Sequence, residues 1–197
     1  MKYELDVTKL SYESKRVLAF DKNTPSGMLD ALADDEEVDV RMNVASNSNT
    51  SVKTLMKLSD DKDSDVKEMV AFNENTPVEI LERYADSESA NVKYMVASNR
   101  SIPIYILEKL AVDNNDDIVF EGVAYSKNVT PDILIILRKS KDIHVQLAII
   151  KNSKTPLDII EAFTKSDNIY IRVAAKTVRN LRHEITLKNK QHKCERT

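Results

Sequence analysis

The sequence predicts an all-α fold, a single-domain α-solenoid of about seven 26-residue helical repeats, on three observations. First, a phrase recurs: residues 40–60 read VRMNVASNSNTSVKTLMKLSD, 66–86 read VKEMVAFNENTPVEILERYAD, and 92–113 read VKYMVASNRSIPIYILEKLAVD. Second, with the first Val of VxxxVA as anchor, the units fall at Ser14, Val40, Val66, Val92, Val119, Val145 and Ile171, in steps of 26 with a single step of 27. A fixed period of that size marks units that each leave an apolar face for the next to cover. Third, all five prolines (Pro25, Pro77, Pro103, Pro131 and Pro156) occupy one place in the unit to within one residue, and the second copy has Ser51 there.

Each element follows from the pattern. Thr8 to Phe20 reads as a first helix, with residues 1–13 as an N-terminal cap to the array. Within a typical unit, Val66, Met69, Val70 and Asn73 sit at i, i+3, i+4, i+7 with small Ala71 beside them, a short amphipathic helix. Asp39, Asp65 and Asn91 stand just ahead of their anchors as N-cap candidates. A second helix is predicted to open at Thr-Pro, with Thr76 as N-cap, Pro77 at the first helical position and Glu79 closing a capping box. Its apolar pair, Leu81 with Tyr84, recurs as Leu29/Leu32, Leu55/Leu58, Leu107/Leu110, Leu134/Leu137 and Ile160/Phe163. Alanines at 19, 45, 71, 97 and 124 predict close approach between neighbouring first helices. The seventh unit lacks the Thr-Pro break, so residues 171–189 are expected as one longer capping helix, with 190–197 as a basic flexible tail. Seven layers make a rod on the order of 60 Å long.

Composition narrows the function classes. Two Gly and five Pro argue against a hairpin-rich β fold. No apolar run approaches the length of a membrane span, and the opening MKYELDVTKL has no signal-peptide core, which predicts a cytoplasmic chain with no membrane partner. The single cysteine, Cys194, excludes an internal disulfide. Charge is polarised. Of 29 Lys and Arg and 32 Asp and Glu, residues 138–197 hold 14 and 6, leaving 15 and 26 in residues 1–137.

The consensus V-[RK]-x-x-V-A-x-N-x-x-T-P-x-x-x-L-x-x-L-A-x-D, matched best by Val40–Asp60 and Val66–Asp86, resembles the leucine-rich repeat variant, a bacterial α-solenoid repeat, over roughly residues 14–178. Phe120, Gln146, Ile150 and Lys176 depart from it. The resemblance implies alternating helices, one layer tending to 3₁₀, in a right-handed superhelix. The first described type of that family carries a cysteine-ligated iron–sulfur cluster near its N-terminus. Here Cys194 stands alone at the other end, so no iron–sulfur cluster and no other cofactor is expected. The Asp…Val-Arg spacing is also similar in style to HEAT repeats.

Candidate binding residues come from two rows. The position after the anchor reads Lys15, Arg41, Lys67, Lys93, Phe120, Gln146, Arg172. These cations either contact a partner or pair with Asp34, Asp60, Asp86 and Asp113, which precede the next unit's cation. Arg172, Lys176, Arg179 and Arg182 climb the last helix in steps of three or four as a basic stripe, continued by Lys188, Lys190 and Lys193. Acidic segments 34–39, 60–65, 86–91 and 113–117 line one edge, either as a negative surface or as caps for the next helix, and lack an EF-hand's Gly and terminal Glu. Asn47, Asn73, Asn99 and Asn152, with Asp21, form a row that either holds a ligand backbone or ends the helices. His144, His183 and His192 have no metal-ligand spacing, and Gly27 and Gly122 make no phosphate loop. The sequence therefore predicts a non-enzymatic binding scaffold that recognises a protein partner. Its alternative is a nucleic-acid-binding solenoid led by the basic C-terminal helix and the Lys/Arg row.

Overall fold

The computed structural model describes residues 6–113 and 116–194, with side chains to 189. Helices alternate in two layers. The first layer holds α1 (Tyr12–Phe20), α3 (Val38–Ser46), α5 (Ser64–Phe72), α7 (Ala90–Ser98), α9 (Asp117–Tyr125), α11 (Ile143–Lys151) and α13 (Ile169–Cys194). The second holds α2 (Ser26–Leu32), α4 (Val52–Leu58), α6 (Val78–Ala85), α8 (Ile104–Val112), α10 (Pro131–Leu137) and α12 (Leu157–Phe163). No strand occurs among the described residues, and no helix there is long and apolar enough to cross a membrane. The 3₁₀ character expected of one layer is absent, because both layers are α-helical. The 3₁₀ turn at Val7–Lys9 belongs to the N-terminal cap.

Between the layers one core runs from Val7 to Ile159, and a second, smaller one at Ile150, Ile160, Ile171 and Ala175 meets it through half-buried Phe163. The anchors Val40, Val66, Val92, Val119 and Val145 are buried, as are Leu29, Leu55, Leu81, Leu107, Leu134 and Ile160 opposite them. The alanines at 19, 45, 71, 97 and 124 are fully covered. With only a methyl group between them, first-layer helices pack directly on one another, whereas second-layer neighbours touch less. The first layer is therefore the inner side of the curve. Approach is closest between α7 and α9, where a Cβ on Gly122 would sit 2.8 Å from Tyr94 Cδ2.

Several boundaries differ from the sequence reading for identifiable reasons. The first helix begins at Tyr12, since Ser11 caps it and Thr8 is drawn into the 3₁₀ turn by Asp6. First-layer caps fall two residues ahead of the expected ones: Asp63, Ser89, Asp116 and Asp142 accept the first-turn N–H bonds. Pro25, Pro77, Pro103 and Pro156 are extended, with ψ near 145°, and occupy the cap position themselves. The hydroxyls of Thr24, Thr50, Thr76 and Thr155 donate instead to the carbonyls of Leu18, Val44, Val70 and Ile149, tying the turn to the preceding first-layer helix. Only Thr130, with Pro131 inside the helix, follows the predicted arrangement. At the C-terminus α13 passes the expected boundary at 189 and runs to Cys194, since no Gly or Pro interrupts it; the rest of the tail, 195–197, lies outside the described residues.

Candidate binding face

Helical geometry locates the outward side of the inner layer. At about 100° per residue, the anchor and the positions four and five after it point between the layers, so the residues six after and one before it point the opposite way. Burial follows this rule. Glu13, Asp39, Asp65, Asn91, Ile118, His144 and Tyr170, each one before an anchor, are all exposed. Six after the anchors stand Phe20, Ser46, Phe72, Ser98, Tyr125 and Lys151. An aromatic ring thus appears in the first, third and fifth units, with Phe20 75%, Phe72 48% and Tyr125 43% exposed, while the seventh has Thr177. Exposed Val17, Ile118, Tyr170 and Val173 add apolar area on the same layer. Near Phe72, Ser46, Glu74 and Arg100 line a shallow cavity of about 210 Å³.

The predicted cations are mostly engaged within the chain. Arg41 bonds Asp61, in the turn before α5, through Nε at 2.7 Å and Nη2 at 3.1 Å, and Nη1 donates to the carbonyls of Asp35 and Glu36. Lys15 pairs with Asp35 at 2.8 Å. The ladder of cation and aspartate therefore exists in the first units. Its acid is one residue later than Asp34 and Asp60, and it lies in the following turn rather than the preceding one. Burial opposes ionisation of Asp61 and Asp35. The cation's hydrogen bond and the N–H of Asp63 or Glu37 outweigh it, so both carboxyls are held below the usual range. Lys67 is half-buried, and the place equivalent to Asp35 and Asp61 in its unit holds uncharged Ser87. Lys93 is half-buried on α7. Gln146 and Arg172 keep the backward reach alone, donating to the carbonyls of Ser140 and Ser166.

On α13 the stripe divides. Arg182 is inward: Nη1 and Nη2 donate to the carbonyls of Thr155 and Asn152 at 2.5 and 2.6 Å, and burial lowers its pKa. Arg179 pairs with Glu161 at 3.3 Å. Lys176 is exposed.

The asparagine row is an internal staple. Asn73 Nδ2 donates to the carbonyls of Ala45 and Asn47 in the previous unit, and Asn99 repeats this on Ala71 and Asn73. Asn47 does the same on Ala19 and Asp21, and Oδ1 of each accepts an N–H two residues on. At the first unit Asp21 can only accept, and its Oδ1 takes the N–H and the Nδ2 of Asn23. In the fifth unit Ser126 is too short to reach across, and its buried Oγ has no partner among the described residues. Asn128 bridges back to the carbonyls of Arg100 and Ile102, as Asn49 does to those of Lys22 and Thr24 beside the Asn47 staple.

The sequence reading missed a second ladder on the outer edge. Lys57 pairs with Asp34, Arg83 with Asp60 at 2.9 Å, and Lys109 with Asp86 at 2.6 Å. The 26-residue spacing of Lys57, Arg83 and Lys109 was the available signal. It missed the aromatic alternation as well, because Phe20, Phe72 and Tyr125 are two units apart and adjacent copies do not match there.

No protein-family model matches the chain, and no curated protein matches it. Among solved structures, one described as a leucine-rich repeat variant with a novel repetitive protein structural motif superposes with a TM-score of 0.58 at 23% identity, covering 87% of this chain and 68% of that one. Taken with the alternating layers and the interlocked units, this shows that the chain has the helical-repeat fold of the leucine-rich repeat variant.

Proposed function

We propose that this chain is a non-catalytic scaffold that binds a protein partner through the exposed face of its first-layer helices. The observation that carries the reading is the row of Phe20, Phe72 and Tyr125, three large rings left in water on the inner side of a curved array whose core needs none of them. Rings in alternate layers stand roughly 20 Å apart and suit apolar anchors of an extended surface. Glu13, Asp39 and Asp65 add negative charge in the first three units, which favours a partner with cations beside those anchors.

The nucleic-acid reading has less to draw on. Arg41, Lys15, Arg179 and Arg182 spend their donors inside the fold. Among the residues with described side chains, Lys176, His183 and Lys188 are the exposed remainder of the α13 stripe.

Two measurements separate the readings. Labelled mixed-sequence duplex DNA, single-stranded DNA and RNA are titrated with the protein at about 50 and 200 mM salt, where phosphate-led binding weakens steeply. Partner capture is then compared for the wild type and the Phe20→Asp/Phe72→Asp/Tyr125→Asp variant. The proposal expects no salt-steep nucleic-acid binding, and a protein retained by the wild type and lost from the variant. Nucleic-acid binding abolished by Lys176→Ala, or capture indifferent to the three rings, would overturn it.

A further inference from the structure

The outer edge of the array changes sign along the molecule. Six residues ahead of successive anchors it carries Asp34, Asp60, Asp86 and Asp113, and then Lys139 and Lys165. In the early units the acids are answered by Lys57, Arg83 and Lys109, all from one place on the second-layer helix. At that place the later units have Ile136 and Ala162. The ladder is therefore not rebuilt with its polarity reversed: Asp113 keeps the acid but has Ile136 at the cation's place, and Lys139 replaces the acid while Ala162 replaces its cation. Between α10, α11 and α12 this leaves a groove of about 420 Å³, rimmed by Arg138, Lys139 and Lys165 over Ile159, Ala162 and Phe163. No carboxylate lines it. Among the described residues the side chains of Arg138, Lys139 and Lys165 make no hydrogen bond or ion pair, in contrast to the paired aspartates at the equivalent early positions.

We infer that this groove receives an acidic peptide segment of the partner, one apolar side chain on the floor and carboxylates against the three rim cations. The volume suits a large side chain in a small-ligand-sized cleft. Cations beside an apolar floor are less screened than on an open surface, and so discriminate charge more strongly. A nucleic-acid strand fits poorly, because a strand tracking the edge would meet Asp113 one layer before Lys139. The inference rests on the scaffold reading above but uses a different surface from the aromatic row.

The test titrates a fluorescein-labelled octapeptide of Asp and Glu around a central Leu-Phe pair, at about 50 mM salt. Controls are the same peptide with Lys and Arg for the acids, and with Gly-Ser for Leu-Phe. Proteins are the wild type, Lys139→Glu/Lys165→Glu, and the three-ring variant, each with its melting checked. Expected is binding of the acidic apolar peptide alone, weakened at least about tenfold in Lys139→Glu/Lys165→Glu and unchanged in the three-ring variant. No binding up to about 1 mM, equal binding of the controls, or indifference to the lysine reversals overturns the groove. Loss of binding in the three-ring variant alone would return the contact to the inner face.

Discussion

Arg41 and Asp61 show what a single recurring charge does here. Both side chains are over nine-tenths buried, and the guanidinium spends its donors on one carboxylate and two carbonyls of the turn ahead of its own helix. Removing the acid strands a buried cation, so Asp61→Ala is expected to cost about 3 kcal/mol in chemical denaturation. The same pair predicts a pH response. Its folded-state carboxyl pKa is depressed, so its contribution is complete above roughly pH 4 and lost as pH falls through the lower folded value. In melts from about pH 6 down to 3, the wild type should lose more stability than Asp61→Ala over the acid half of the span. Parallel slopes would dissociate the pair from acid stability. Ser126 offers the opposite change. Ser126→Asn supplies the missing staple to the fourth unit and should raise stability by about 1 kcal/mol, read as a higher melting temperature.

At the scale of elements, the helices were legible because their apolar spacing is strong and repeated: every anchor from Val40 to Ile171 lies in a first-layer helix, with the Leu pairs facing it. The links between elements were not. Thr76 looks like an N-cap in sequence, yet its hydroxyl is nearer the carbonyl of Val70, and the extended Pro77 takes the cap place. Sequence spacing gives the period of the asparagines but not the direction of their amides, which turn back across the unit boundary. Asn99 makes two such bonds and accepts a third, so Asn99→Ala should cost about 2–3 kcal/mol and speed hydrogen exchange at the ends of both α5 and α7. Exchange confined to α7 would mean that the staple does not couple units. The candidate cations were found by the same periodicity, and their commitment to Asp61, Asp35 or buried carbonyls depends on a turn geometry the linear pattern does not carry.

The whole molecule is a stack whose stability passes from unit to unit. Leu81, fully buried between layers, is therefore expected on Leu81→Asp to unfold the array cooperatively rather than locally, a loss of melting temperature far beyond a few degrees. A shift of a degree or two would contradict the shared core. The first and last units differ: Asp21 stands at the asparagine place in the one, and Arg182 donates to the carbonyls of Asn152 and Thr155 in the other. Between them the inner face exposes rings and acids, while the outer edge turns from aspartate to lysine. The measurement that tests the scaffold reading most directly is hydrogen exchange of the intact chain, alone and with its captured partner. The account predicts slowed exchange along the first-layer helices, strongest near Phe20, Phe72 and Tyr125. Protection confined to the exposed flank of α13, or none on the first layer, would contradict it.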